Sequence, residues 1–286
     1  MEQQNMSILD RIRASYYQLT ATERKVADYV LTHSSQVQFM SITQLADECG
    51  TADASISRFC KTLKLKGFNA FKLELAQLAA TAQVSEFGDG RSADTDTPEG
   101  RFNEIGRLSQ EAVSQTIELA NPDAIRKTVE LLEQANRIYC MGSGGSMIMA
   151  MECAHLFSTV SNKFLPVSDS HLQISATGIM DPRDVIILFS YSGATTGGLQ
   201  ILELAKQRGV HTVLVTRFPK SPAARLAEIV LLCGSNESPM QIGSASAKVA
   251  QLIVMDLLYQ EYFHRNREVC EQNLKAIAAS LSGMHV

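Results

Sequence analysis

No run of apolar residues in the chain approaches the roughly 18 to 20 that would span a bilayer, which excludes an ordinary transmembrane helix. No signal-peptide core opens it either: "MEQQNMSILDRIRASYYQL" reads as an amphipathic helix, so export is not expected. CxxC pairs are missing. The six cysteines (Cys49, Cys60, Cys140, Cys153, Cys233, Cys270) stand far apart without metal-ligand spacing, which argues for reduced thiols in a cytoplasm and for no metal. A P-loop is absent as well. Gly142-x-Gly144 begins like GxGxxG, but Met147 stands at the sixth position. Asp169, the candidate ribose acid, lies well beyond the about 20 residues that a dinucleotide site requires. No cofactor is expected, and no internal repeat or low-complexity tract occurs.

What is present is enough chain, 286 residues, for two domains with a buried core. The net charge of −4 conceals an asymmetry: residues 1–80 are slightly basic and the remainder carries the acidic excess. Arg58, Lys61, Lys64, Lys66 and Lys72 follow one another without an intervening acid. Such a patch in an acidic protein is either a solvated helix face or the footprint of a polyanion.

The acidic, small-residue stretch "SEFGDGRSADTDTPEG" offers nothing to offset the entropy of ordering it, and a linker is expected over residues 81–100. Residues 1–80 are helical in pattern. Thr20-Ala-Thr-Glu23 and Ser41-Ile-Thr-Gln44 fit the capping box, in which hydroxyl and carboxyl or amide satisfy the first free N–H groups. After Ser41 a short helix with Ile42, Leu45 and Ala46 leads to a turn at Gly50. A second helix is expected from about Asp53 to Leu63, with Ile56, Phe59, Cys60 and Leu63 inside and Ser55, Ser57, Arg58, Lys61 and Lys64 outside. Two short helices about a glycine turn, the second basic on its free face, describe a helix-turn-helix.

Residues 101–286 read differently. Asn121 and Pro122 open a helix as N-cap and first helical residue. Apolar runs at Ile138–Met141, Phe164–Val167, Val185–Phe189, Thr212–Val215 and Ile229–Cys233 are separated mostly by helical stretches, "GLQILELAKQRG" and "SPAARLAEI" among them. The fold expected here is an α/β three-layer domain with a five-stranded parallel sheet. "SAKVAQLIVMDLLYQEYF" is apolar over most of its surface and is expected to bury against the sheet or a second subunit.

Ligands of such sheets sit beyond the carboxyl ends of the strands. Two of those ends are rich in glycine and hydroxyls, Gly142-Ser-Gly-Gly-Ser146 and Ser190-Tyr-Ser-Gly-Ala-Thr195, and each precedes a helical pattern. Helix N-termini, loop N–H groups and hydroxyls together suit a phosphorylated small molecule.

With "ILELAKQRG", "VLVT" and "SPAARLAEIVL", these two loops resemble a sugar isomerase (SIS) domain. "LTATERKVADYVL", "SITQLADECG" and "SISRFCKTLKLKGFNAFKLELA" resemble the N-terminal helix-turn-helix of the RpiR family, transcriptional regulators in which that domain precedes a SIS domain. The resemblance covers nearly all the chain outside the linker. It implies a DNA-binding regulator of carbohydrate metabolism that senses a sugar phosphate, acts as a cytoplasmic homodimer and performs no catalysis. It places the ligand on Gly142, Ser143, Gly144, Ser146, Ser190, Ser192, Gly193 and Thr195. It assigns Ser55, Ser57, Arg58 and Lys61 to DNA, with Lys64, Lys66 and Lys72 on phosphates. Thr51-Ala52 stands where the family's turn commonly reads valine-serine, and Lys64-Leu65 replaces a common glycine-aromatic pair; "AHLF" replaces a frequent lysine-leucine.

The other class of function is an aldose–ketose isomerase, which needs a base within reach of the substrate. Glu237, in the loop after the fifth strand, and His171 are the candidates; His155, on an apolar helix, reads as packed.

Overall fold

The computed structural model describes residues 6–85, 97–235 and 244–282. The chain divides into two compact units, with the division inside one helix between Arg107 and Leu108.

The first unit is helical: α1 (Ile8–Ser15), α2 (Ala21–Val37), α3 (Ile42–Glu48), α4 (Asp53–Thr62), α5 (Phe68–Ser85) and the start of α6 (Pro98–Leu119). Both capping boxes form. Thr20 and Ser41 each accept from the backbone three residues on, while Glu23 and Gln44 reach back to the cap N–H. The core joins Ile12, Val30, Leu45, Ile56, Phe59 and Phe71, all inaccessible to solvent, with Phe59 edge-on to Phe71 at 5.8 Å. Each such side chain contributes about 1.5–3 kcal/mol by burial. α5 runs to Ser85 and α6 starts at Pro98, so helix enters the expected linker from both sides. The rest of that linker, 86–96, lies outside the described residues.

The second unit contains the end of α6, α7 (Pro122–Gln134), β1 (Ile138–Gly142), α8 (Gly145–Ser158), β2 (Phe164–Pro166), α9 (Ser170–Ile179), β3 (Val185–Phe189), α10 (Thr196–Arg208), β4 (His211–Thr216), β5 (Ile229–Leu232), α11 (Ala245–Arg265) and α12 (Arg267–Leu281). All four strand pairings are parallel, in the order β2-β1-β3-β4-β5. Alternation along the strands feeds two cores. Ile138 and Cys140, Val185, Ile187 and Phe189, and Val213 and Val215 face α7, α8 and α11; Met141, Ile186, Leu188 and Leu214 face α9 and α10. Helices therefore cover both faces of the five-stranded parallel sheet, as expected. Asn121 caps α7 with Pro122 behind it. All six cysteines are free and buried, and burial pushes the Cys60 thiol up to about 12, far from a reactive thiolate.

Between β4 and β5 the expected helix over "SPAARLAEI" does not form; residues 222–226 make turns and Ile229 opens β5. The Ala223 N–H donates to the Gly193 carbonyl at 2.9 Å, which fastens the segment to the loop after β3. Among the described residues no helix is long and apolar enough to cross a membrane.

Candidate functional sites

In the helical unit α3 and α4 are joined through Gly50, at φ +60°, and Thr51, whose N–H donates to the Ala46 carbonyl at 2.8 Å. The Thr43 hydroxyl donates to Asp53 at 3.0 Å and ties the start of α3 to the first turn of α4. Ala52 gives α4 no side-chain cap, as the missing hydroxyl there implied. On α4, Arg58 and Lys61 are exposed and Ser57 is half-buried. Beyond it Lys64 and Lys66 are exposed, whereas the Lys72 ammonium lies 5.5 Å over the Phe68 ring.

Ser55 corrects the outward assignment. It is 6% exposed, because it precedes Phe59 by one helical turn and so shares the core face. Its hydroxyl accepts from the Arg58 guanidinium at 3.3 Å, which makes it a support for Arg58 rather than a contact to bases. Lys64 occupies the left-handed region at φ 59°, where glycine is the usual helix terminator.

Besides capping α2, Glu23 fastens it to α4. One carboxylate oxygen accepts from the Thr62 hydroxyl at 2.7 Å; the other accepts from the Thr20 N–H and hydroxyl. Burial alone would push this carboxyl up. The hydrogen bonds from Thr62 and Thr20 and the Arg58 charge outweigh it, and the net displacement is downward. A lowered carboxyl stabilises the fold above its unfolded value near 4.5 and loses that contribution as pH falls through its folded value. Glu23→Gln is expected to cost about 1–3 kcal/mol at neutral pH by weakening a charged hydrogen-bond set. Urea unfolding should show the gap to wild type closing below pH 4.5; a gap that stays constant would refute the assignment.

In the α/β unit the strand order reverses between β1 and β3, the topological switch point at which such sheets bind ligands. The two strands are hydrogen-bonded neighbours, with Gly142 opposite Phe189, so both small-residue loops leave adjacent strand ends. Helices α7, α9 and α11 are capped by the side chains of Asn121, Asp169 and Ser244. Helices α8 and α10, which start from these two loops, have no side-chain cap: Gly144 and Thr195 stand at the cap positions. The first N–H groups of α10 are those that an anion would satisfy, whereas in α8 Ser146 and Met147 already donate to the Ser143 and Gly144 carbonyls at 3.2 and 3.1 Å.

The first loop is Gly142–Ser146, with Ser143 and Gly144 exposed and Ser146 half-buried. A Cβ on Gly142 would meet the Ser146 carbonyl at 2.7 Å, so the chain can turn this tightly only without a side chain. In the second, Ser190 is buried, its hydroxyl 3.4 Å from that of exposed Thr195, and the half-buried Ser192 hydroxyl accepts from the Ala194 N–H at 3.3 Å. Gly193 sits at φ +59° over the Ser221 side chain.

Two supports of these loops act across the fold. Ser221, fully buried, lies beneath Gly193. Gln173, on α9, donates to the Gly142 carbonyl at 2.8 Å and to the Val167 carbonyl at 2.7 Å, holding the exits of β1 and β2 together. Only the fold unites these pairs; a buried glutamine on a helix between apolar residues was the available hint. His155 is exposed rather than packed, 3.6 Å from Glu152, because it points away from the face of α8 that carries Ala154 and Phe157. His171 is exposed at the start of α9, and Glu237 lies outside the described residues.

An uncapped, basic-faced helix in a helix-turn-helix and a hydroxyl-lined switch point in a five-stranded parallel sheet together define a two-domain regulator. Residues 6–83 match the model of the helix-turn-helix domain of the rpiR family, and residues 131–260 match that of the SIS domain. An HTH-type transcriptional regulator of Caldanaerobacter subterraneus subsp. tengcongensis is 32% identical over 252 residues, 88% of this chain and 89% of that one. The Vibrio vulnificus NanR protein, solved in complex with ManNAc-6P, has a TM-score of 0.85 at 24% identity, covering 97% of this chain and 99% of that one. The sugar isomerase domain of an RpiR transcription factor from Sphaerobacter thermophilus has a TM-score of 0.57 at 23% identity, covering 62% of this chain and 97% of that one. The chain belongs to the RpiR family of HTH-type transcriptional regulators with a C-terminal SIS domain.

Proposed function

We propose that the α/β unit binds a phosphorylated sugar at the β1/β3 switch point and that this binding alters the hold of the helical unit on operator DNA. The observation that carries the reading is the pairing of two hydroxyl- and glycine-rich loops on adjacent strand ends, each opening a helix without a side-chain cap. The phosphate would lie among Gly142, Ser143, Gly144 and Ser146 on one side and Ser190, Ser192, Gly193 and Thr195 on the other. That NanR was solved with a phosphorylated amino sugar supports the ligand class. The naming of the relatives as regulators supports sensing without turnover, in the cytoplasm.

On DNA, Ser57, Arg58 and Lys61 would enter the major groove and Lys64 and Lys66 would meet backbone phosphates. Paired recognition helices require a homodimer, for which Ile148 and Met151, exposed on α8, offer an apolar face. Lys66→Ala is expected to weaken binding to every sequence alike and to reduce the log–log salt slope by about 0.9. Fluorescence anisotropy between 50 and 200 mM salt, with a duplex from the chain's own genomic neighbourhood, measures this. An unchanged slope would remove Lys66 from the interface.

A further inference from the structure

Helix α6 belongs to both units: its residues to Arg107 fall in the helical one and the rest in the α/β one. Near its end it is bonded to the exit of β5. Gly234 donates its N–H to the Thr116 hydroxyl at 2.9 Å, and that buried hydroxyl donates to the Ala112 carbonyl at 2.6 Å. A Cβ on Gly234 would stand 2.5 Å from the Gln115 carbonyl carbon, so the strand exit lies directly on the helix backbone.

The next residue faces the other way. The Ser235 carbonyl accepts from the Tyr191 hydroxyl at 2.6 Å and from Arg217 Nε at 2.9 Å. Tyr191 sits between Ser190 and Ser192. Its own carbonyl accepts from the Arg217 N–H at 3.1 Å and the Thr216 hydroxyl at 3.1 Å, and its ring meets Phe218 edge-on at 6.0 Å. Tyr191 is thus fixed at both ends, and the loop that carries the candidate hydroxyls shifts only by carrying the Ser235 carbonyl with it or by breaking a short bond. One dipeptide, Gly234-Ser235, connects that loop to α6.

We propose that Tyr191, Arg217, Gly234-Ser235 and Thr116 form a relay that transmits occupancy of the loop after β3 to α6, the helix leading to the DNA-binding unit. The relay rests on the reading of that loop as half of a phosphate cradle. A contiguous bonded network of this kind couples two sites when both ends bias one element, and α6 is that element.

Hydrogen exchange of the full-length chain, with and without inorganic phosphate at tens of millimolar, tests it in wild type, Tyr191→Phe and Thr116→Val. Phenylalanine removes only the hydroxyl; valine keeps the shape of threonine but cannot accept the Gly234 N–H. In wild type, phosphate should slow exchange over 190–198 and also, about fivefold or more, over 112–119. Both variants should keep the first effect; Thr116→Val should lose the second, and Tyr191→Phe, which retains the Arg217 bond to Ser235, should weaken it clearly. Equal slowing of 112–119 in Tyr191→Phe overturns the relay, as does a wild type in which only 190–198 responds. If phosphate no longer protects 190–198 in Tyr191→Phe, Tyr191 belongs to the phosphate site and the relay is again wrong. If 190–198 does not respond in wild type, the phosphate reading itself has failed and the relay falls with it. Should Thr116→Val not fold, Tyr191→Phe decides alone.

Discussion

Gly193→Ala is expected to lower the melting temperature sharply and to abolish the response to sugar phosphates. The residue lies at φ +59°, where a side chain costs about 1–2 kcal/mol. The added Cβ would also stand 2.1 Å from Ser221 Oγ and 2.5 Å from Ser221 Cβ. Ser221 cannot simply turn aside, because it is fully buried and its hydroxyl accepts from the Ala224 N–H at 3.3 Å. Relief requires the chain at Gly193 to rise, which breaks its carbonyl's bond from the Ala223 N–H and moves Ser192 and Thr195. Strain and overpacking together come to roughly 3 kcal/mol, or about 6–12 °C for a unit of this size. Gly197→Ala is the control: no atom lies within 4 Å of a Cβ there, and alanine favours the helix. Calorimetric melting that found the two variants alike would refute this account of the loop.

Ser190→Ala with Ser192→Ala should leave the fold nearly intact and remove ligand stabilisation. Neither hydroxyl carries a strong bond within the protein: Ser190 Oγ lies 3.4 Å from Thr195 Oγ1, and Ser192 Oγ accepts from Ala194 N at 3.3 Å. Each would instead donate to a charged phosphate, a bond contributing about 1.5–3 kcal/mol. Losing both weakens binding by about two to four orders of magnitude. A sugar phosphate at 100 times its dissociation constant stabilises wild type by about 2.7 kcal/mol; in the double variant that shift should vanish. A panel of sugar phosphates, amino sugars included, identifies the ligand by the same measurement.

Much of this was legible in the residues because the signals are local. The capping boxes at Thr20–Glu23 and Ser41–Gln44 need only four residues each, and five apolar runs bounded by turns specify buried parallel strands. The two loops could be located because position after a strand follows from pattern. What escaped depends on neighbours remote in the chain. Ser221 matters because it lies under Gly193, and Gln173 because it bridges two strand exits; nothing nearby in sequence names the partner of either. Ser55 departs from the outward face that its polarity suggests because it stands one turn from Phe59 on the core side. The turns after β4 stand where the pattern predicts a helix, and the Gly193 carbonyl that holds Ala223 there lies remote in the chain.

The central claim is that a phosphosugar in the β1/β3 crevice governs DNA binding. Operator affinity measured by anisotropy, with and without the sugar phosphate giving the largest thermal shift, tests it most directly. Wild type should change affinity by at least about fivefold, and Ser190→Ala/Ser192→Ala should bind DNA as wild type does yet ignore the sugar. An unresponsive wild type, or a double variant that responds in full, would contradict the account.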